Sequence, residues 1–225
     1  MTVNMSPFQP FGRLSTMASS AERGTRERII AVAEESLGDR GYHGTRLHVI
    51  AERVGIQKAS LFHYFASKAD LYHAVLGEGV VESEQAIRRV LESKASPAEK
   101  LRALLESYVD MVATHPARTK ILLRQSLGDV PNESTAEPER LLGLVAGFVS
   151  DGQKAGVFAP LDPLALALGV IGMVAFFFTS TTVLAPGWHD ATDTERIKRH
   201  VVEMVERCLK VGDRAKADRP CAVRA

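Results

Sequence analysis

Cysteine is nearly missing from this chain: its 225 residues hold two, Cys208 and Cys221, in no CxxC pair. No disulfide framework and no thiolate metal site is built on such a pair, and a reducing, cytoplasmic setting is expected. The seven histidines show no paired spacing with cysteine or carboxylates, so neither a metal nor another cofactor is expected. An excess of one charge is also lacking. Twenty-eight Lys and Arg face 27 Asp and Glu, a formal net charge of +1, which excludes bulk coating of a polyanion and leaves any nucleic-acid affinity to local placement. There is no Gly-rich phosphate loop and no nucleophile elbow. Ser, His and Asp are scattered, although distant residues can converge in space, so a helical enzyme stays as an alternative. No run alternates as a strand does, which gives an all-α fold. Residues 1–22 carry no basic segment followed by an apolar one and are expected to form a disordered arm rather than a leader.

What the chain does have is concentrated between Arg46 and Asp70, RLHVIAERVGIQKASLFHYFASKAD. Leu47, Ile50, Ala51 and Val54 fall at helical spacing and make one apolar stripe, with Thr45 as the expected N-cap. Gly55 follows at the point where the chain must turn with positive φ, the corner of a helix-turn-helix, and Ile56 fills the angle. The second helix, about Lys58 to Phe65, turns Leu61 and Phe65 inward and is expected to present Lys58, Ser60, His63 and Tyr64. Ala59 and Ser60 are small enough for the backbone to approach base edges, and Lys58 and Ser60 can bond bases or phosphates. Ser67 then caps a third helix with Asp70 three residues on. Lys68 opposes the macrodipole in that helix's first turn, a conflict that a bound phosphate resolves.

With the helix before it, this order of signals resembles the tetracycline-repressor (TetR) family of bacterial transcription regulators. The resemblance rests on Arg28-Ile29-Ile30 with Ala33 and Leu37, Gly41-Tyr42, Thr45, Ile50-Ala51, Val54-Gly55-Ile56, Leu61 through Phe65, and Ser67-Lys68 before Leu71. It covers about residues 23 to 83. Two positions depart from the pattern: Gln57 stands where a small hydroxyl residue is usual, and Phe62 where Tyr is. The resemblance implies DNA contacts from Thr45, Arg46, His48, Gln57, Lys58, Ala59, Ser60, Phe62, His63, Tyr64 and Lys68. Charge lends this weak support, since Ala21 to Asp70 holds eight cations against seven carboxylates.

The remainder reads as further helices. The one begun at Ser67 continues to about Leu91, weakened at Gly77 and Gly79. Ser96-Pro97-Ala98-Glu99 is a capping box with Pro at the first helical position, leading the stripe Leu101, Leu104, Leu105, Tyr108, Met111 and Val112. Helices over 117–127 and from Pro138 to near Gly156 come next. Asp162-Pro163 opens a stretch to Ala185 that carries no charge and is long enough to cross a bilayer. Its flanks are acidic and its end is Thr-Ser-Thr-Thr, so it is read as a buried helix, with no membrane partner. The last helix, Asp193 to Leu209, follows a Thr192-x-x-Glu195 box and carries Ile197, Val201, Met204, Val205 and Cys208.

The domains expected are the arm, a helix-turn-helix DNA-binding domain over 23–83, an effector and dimerisation domain over 84–212, and a disordered tail over 213–225. In the resembled family the last two helices pair with their copies in a second subunit. Here that implies a homodimer surface at Gly169, Gly172, Ala175, Val201 and Val205. Met111, Phe148, Met173, Phe177 and Trp188 are the candidate lining of a pocket for an apolar small molecule. The implied function is a ligand-responsive regulator, a repressor on a palindromic double-stranded operator; the alternatives are the enzyme and a non-DNA-binding interaction protein that keeps the fold.

Overall fold

The structure, a computed structural model, describes residues 12–128, 136–184 and 193–209, with side chains over 24–128, 139–180 and 193–209. Trp188, the Thr192 cap and the tail lie outside the described residues. Among these residues there are nine α-helices: α1 (Gly12–Gly44), α2 (Leu47–Val54), α3 (Lys58–Tyr64), α4 (Lys68–Glu92), α5 (Pro97–Thr114), α6 (Pro116–Ser126), α7 (Ala136–Lys154), α8 (Pro163–Leu184) and α9 (Thr194–Leu209). The chain divides into two compact units, residues 1–75 and 76–225. Helix α1 begins inside the segment expected to be a disordered arm. Its opening residues explain this, since Leu14, Met17, Ala18 and Ala21 favour helix and no proline follows Pro10 there.

The first unit is built from α1, α2, α3 and the start of α4. Ile29, Ile30, Ala33 and Leu37 of α1, Ile50, Ala51 and Val54 of α2, Leu61, Phe65, and Leu71, Tyr72 and Val75 of α4 are all buried. Gly55 takes φ 81 and ψ 34, and its N–H donates to the carbonyls of Ala51 and Glu52 while Ile56 N–H donates to Ala51 at 2.9 Å. That left-handed residue turns the chain between α2 and α3, as the sequence predicts.

In the second unit α5 packs on α6, α8 and α9, and α8 packs on α6, α7 and α9. Its core joins Leu101, Leu105, Val109 and Val112 to Val149, Phe158, Val170 and Val174, and to Ile197, Val201, Val202, Val205 and Leu209. The Ser96–Glu99 capping box forms in both directions, and the bonds from Ser96 hold the Glu99 carboxyl below the usual carboxylate range. Asp162 Oδ1 accepts from the N–H groups of Leu164 and Ala165, opening α8 as expected. Asp193 does the same for α9, accepting from Glu195 and Arg196. On α9 the inward stripe runs through Val202 and Leu209, and Cys208 is exposed. Helix α8 is long and apolar enough to span a membrane by length and composition, but Val170 and Val174 tie one of its sides into this core.

Gly79 lies within α4, which runs as one helix from Lys68 to Glu92. It is buried, and a Cβ there would lie 2.6 Å from Cδ of Arg118, whose side chain crosses the helix at that point to pair with Glu82 at 2.9 Å. The missing side chain makes room for a neighbouring helix.

Candidate nucleic-acid interface

Helix α2 starts from Arg46, whose backbone is extended at φ −118 and ψ 124 and whose side chain is exposed and caps nothing. Thr45 is not the cap. It is buried, and its hydroxyl faces the carbonyls of Gly41 at 2.7 Å and Ser36 at 3.0 Å, where α1 breaks at Gly41 with φ 68. Closing the end of α1 takes the Thr45 side chain away from both the α2 terminus and any ligand surface. His48, the second residue of α2, is exposed.

Helix α3 is held from behind by Leu61, which is fully buried, and by Phe65. With the inner side fixed, 100° per residue places Ala59 and His63 opposite Leu61 and Phe62 to one side of them, and these three and Lys58 are exposed. Ser60 and Tyr64, expected on the outer face, are half-buried on its flank. Gln57 holds the N-cap position with extended backbone and no side-chain bond, so its amide is exposed. Lys58 extends over the ring of Phe62, its Nζ 5.9 Å from the centroid.

At the start of α4, Ser67 Oγ accepts from Asp70 N–H at 3.1 Å and donates to Asp70 Oδ2 at 2.9 Å. Lys68 is half-buried with its Nζ 4.5 Å from the centre of the Tyr42 ring. The aromatic face offsets the dipole conflict seen in the sequence. Burial lowers the Lys68 pKa. Lys68 is the first residue of α4, and the N–H groups of a helix N-terminus attract anions.

Sequence periodicity misses the residues that brace this surface. Arg28 Nη2 donates to the Val54 carbonyl at 2.5 Å, and Arg53 pairs with Glu35 and donates to Ser36 Oγ at 3.2 Å. Arg26 lies over Phe65, 5.4 Å from the ring centroid. These pairs tie α1 to the helix-turn-helix across spacings that no local pattern encodes.

In the second unit Met111, Phe148, Met173 and Phe177 are partly buried and pack against one core cluster, so the structure brings these four candidate lining residues to the same interior. Ser83 donates to Met111 Sδ at 3.1 Å, and Tyr108 Oη donates to the Ile171 carbonyl at 3.3 Å. Burial pushes the Tyr108 pKa up, so the phenol stays a neutral donor. Sequence reasoning placed Tyr108 only in the stripe of α5.

The residues expected at the dimer surface separate. Gly169 and Gly172 are exposed on α8, whereas Ala175 of the same helix is buried, and Val201 and Val205 are buried inside the subunit because α9 turns its stripe onto α5. The outward side of α8 carries Leu164, Leu168, Ile171 and Phe176 around the two glycines.

Two family profiles match. The one described as "Bacterial regulatory proteins, tetR family" covers residues 29–75, and "Tetracyclin repressor-like, C-terminal domain" covers residues 94–179. The chain belongs to the TetR family. Among its relatives, the HTH-type transcriptional regulator RutR of Escherichia coli K12 is 26% identical over 148 residues, 64% of this chain and 69% of RutR. The HTH-type transcriptional repressor KstR2 of Mycolicibacterium smegmatis is 25% identical over 171 residues, 73% of this chain and 78% of KstR2. The crystal structure of AibR in complex with isovaleryl coenzyme A and operator DNA aligns with a TM-score of 0.62 at 25% identity, covering 79% of this chain and 97% of AibR. This TetR-family chain is therefore a DNA-binding, ligand-responsive transcriptional regulator of the helix-turn-helix class.

Proposed function

We propose that this TetR-family regulator is a cytoplasmic homodimeric repressor, not an enzyme, that leaves a palindromic operator when an apolar small molecule enters its second unit. The observation that carries the reading is the exposure of Lys58, Ala59, Phe62 and His63 on α3, a helix locked to the interior by Leu61. One such helix spans only a few base pairs, and two on a two-fold axis read both halves of a palindrome. The two-fold contact uses the outer face of α8, where Gly169 and Gly172 let a second helix approach between Leu168 and Phe176. Arg46, His48 and Gln57 flank α3, and Lys68 binds a phosphate from the α4 terminus. Thr45 has no part in the contact.

The effector sits against Met111, Phe148, Met173 and Phe177, with the Tyr108 hydroxyl as a polar handle. An acyl chain suits that lining, and the isovaleryl coenzyme A in the AibR complex carries a short apolar acyl chain on a polar carrier. The signal leaves through α4. Glu82, Ser83 and Glu84 of that helix hold Arg118, Met111 and Arg140, while its first turns hold Leu71 and Val75 in the DNA-binding unit. Displacing α5 or α6 moves α4 and changes the spacing of the two recognition helices. A hundredfold loss of operator affinity needs about 3 kcal/mol of coupling, within the ordinary allosteric range.

The test is a mobility-shift titration on the DNA flanking the gene, against a scrambled competitor, with and without short- and long-chain acyl compounds. Specific binding by two chains or a multiple, relieved by one of these ligands, is expected; equal operator affinity with every ligand and extract tried counts against effector control. Lys68→Ala is expected to weaken binding to operator and scrambled DNA alike. It also lowers the slope of log affinity against log salt by about 2 for a dimer, one phosphate per half-site. An unchanged salt slope would remove Lys68 from the phosphate contacts.

A further inference from the structure

The most exposed large apolar side chain on the recognition helix is Phe62, with 43% of its surface open. It is not needed for folding, because Leu61 and Phe65 already anchor α3 to the interior. Nor does it serve the phosphate backbone, since a phenyl ring has no hydrogen-bond donor. Lys58, at the first position of α3 and against the helix dipole, is drawn across the ring with its Nζ 5.9 Å from the centroid. The ammonium lies to one side of the ring, which sits around α3 between Lys58 and Ala59 and stays open to solvent.

A major groove offers one apolar group to such a ring. Adenine, guanine and cytosine present only donors and acceptors there, and thymine alone adds a C5 methyl. From this geometry we infer that Phe62 reads a thymine methyl group in each operator half-site, and that Lys58, steadied by the ring, reads the acceptor edge of a neighbouring base. The inference rests on the operator-binding reading above and deepens it to a base preference. The tyrosine usual at this position in the family would instead carry a hydroxyl into the same space.

The test uses the full-length protein and its operator, found by selection from random duplexes, with single thymines replaced by deoxyuridine, which removes only the methyl. Affinities are read by fluorescence anisotropy for the native protein and for Phe62→Ala. One thymine per half-site is expected to matter, with deoxyuridine there weakening native binding about fourfold in one half-site and about fifteenfold in both, the effect of one buried methyl. The Phe62→Ala variant is expected to bind the thymine and deoxyuridine operators equally. Its fold is read independently by circular dichroism, since the ring is exposed. Sequence-specific binding with no deoxyuridine penalty, or a penalty that survives in Phe62→Ala, overturns the role of Phe62 alone. Failure to select any sequence overturns the operator reading and this inference with it.

Discussion

Leu168→Glu combined with Phe176→Glu is expected to leave a folded monomer that has lost its operator. Both side chains lie on the outer face of α8, at 50% and 58% exposure, so the carboxylates meet water in the isolated subunit and the core on the other side of the helix is untouched. In the α8 contact proposed above the same carboxylates would be buried among apolar side chains, where charges stripped of water are strongly disfavoured. The loss on DNA is larger than a weakened contact suggests. Linked half-site readers gain about a hundredfold to ten-thousandfold from acting together, and a monomer forfeits it. A fall in operator affinity of about a thousandfold is expected, with sedimentation equilibrium showing one chain and circular dichroism unchanged. A dimer that persists in this variant would move the subunit contact away from α8.

Gly152→Ala is expected to damage the second unit more than any other single methyl. A Cβ at Gly152 would stand 2.1 Å from Cδ2 and 2.4 Å from Cε2 of Phe158. Phe158 cannot yield easily: it is buried and meets Phe148 edge-on at 5.7 Å. Its own N–H and that of Val157 donate to the Gly152 carbonyl, so the turn after α7 folds the ring directly onto the glycine. Gly156 makes that turn possible with φ 72. Expelling a core phenylalanine costs about 3 kcal/mol or more, which lowers the melting temperature by roughly 9 °C in a domain of this size. Thermal unfolding followed by circular dichroism checks it, and a shift under about 2 °C would mean that the ring has another place to go. Gly79 is the contrast. Its close neighbour is the far end of Arg118, a longer and more compliant side chain, so the same substitution there is expected to be milder.

Much of the fold is legible in the sequence because its boundaries are local. Gly55, the Ser96–Glu99 box and the Asp162-Pro163 start each act within a few residues, and each takes the conformation its chemistry dictates. The recognition helix is legible for the same reason, since Leu61 and Phe65 set its orientation. What escapes is the choice made by neighbours distant in sequence. Thr45 is a good cap by type, yet the broken end of α1 offers its hydroxyl two buried carbonyls instead. Val201 and Val205 sit on a plausible dimer stripe until α5 claims it. Lys68 looks unpaired in its own helix because its partner ring, Tyr42, comes from another. The half-burial of Tyr64 follows from the anchor of α3, since it adjoins Leu61 about 60° around the helix, while Phe62 lies farther out.

On the α8 contact proposed above, the two-sided character of this helix ties the life of the subunit to its abundance. A chain newly released from the ribosome carries Leu164, Leu168, Ile171 and Phe176 in water until it meets another copy. Association that buries such a face stabilises the native state by mass action, so the folded fraction rises with the amount of protein made. With that contact, a regulator present at few copies per cell draws both its resistance to proteolysis and its operator occupancy from one bimolecular encounter. Gene dosage then acts on the two together.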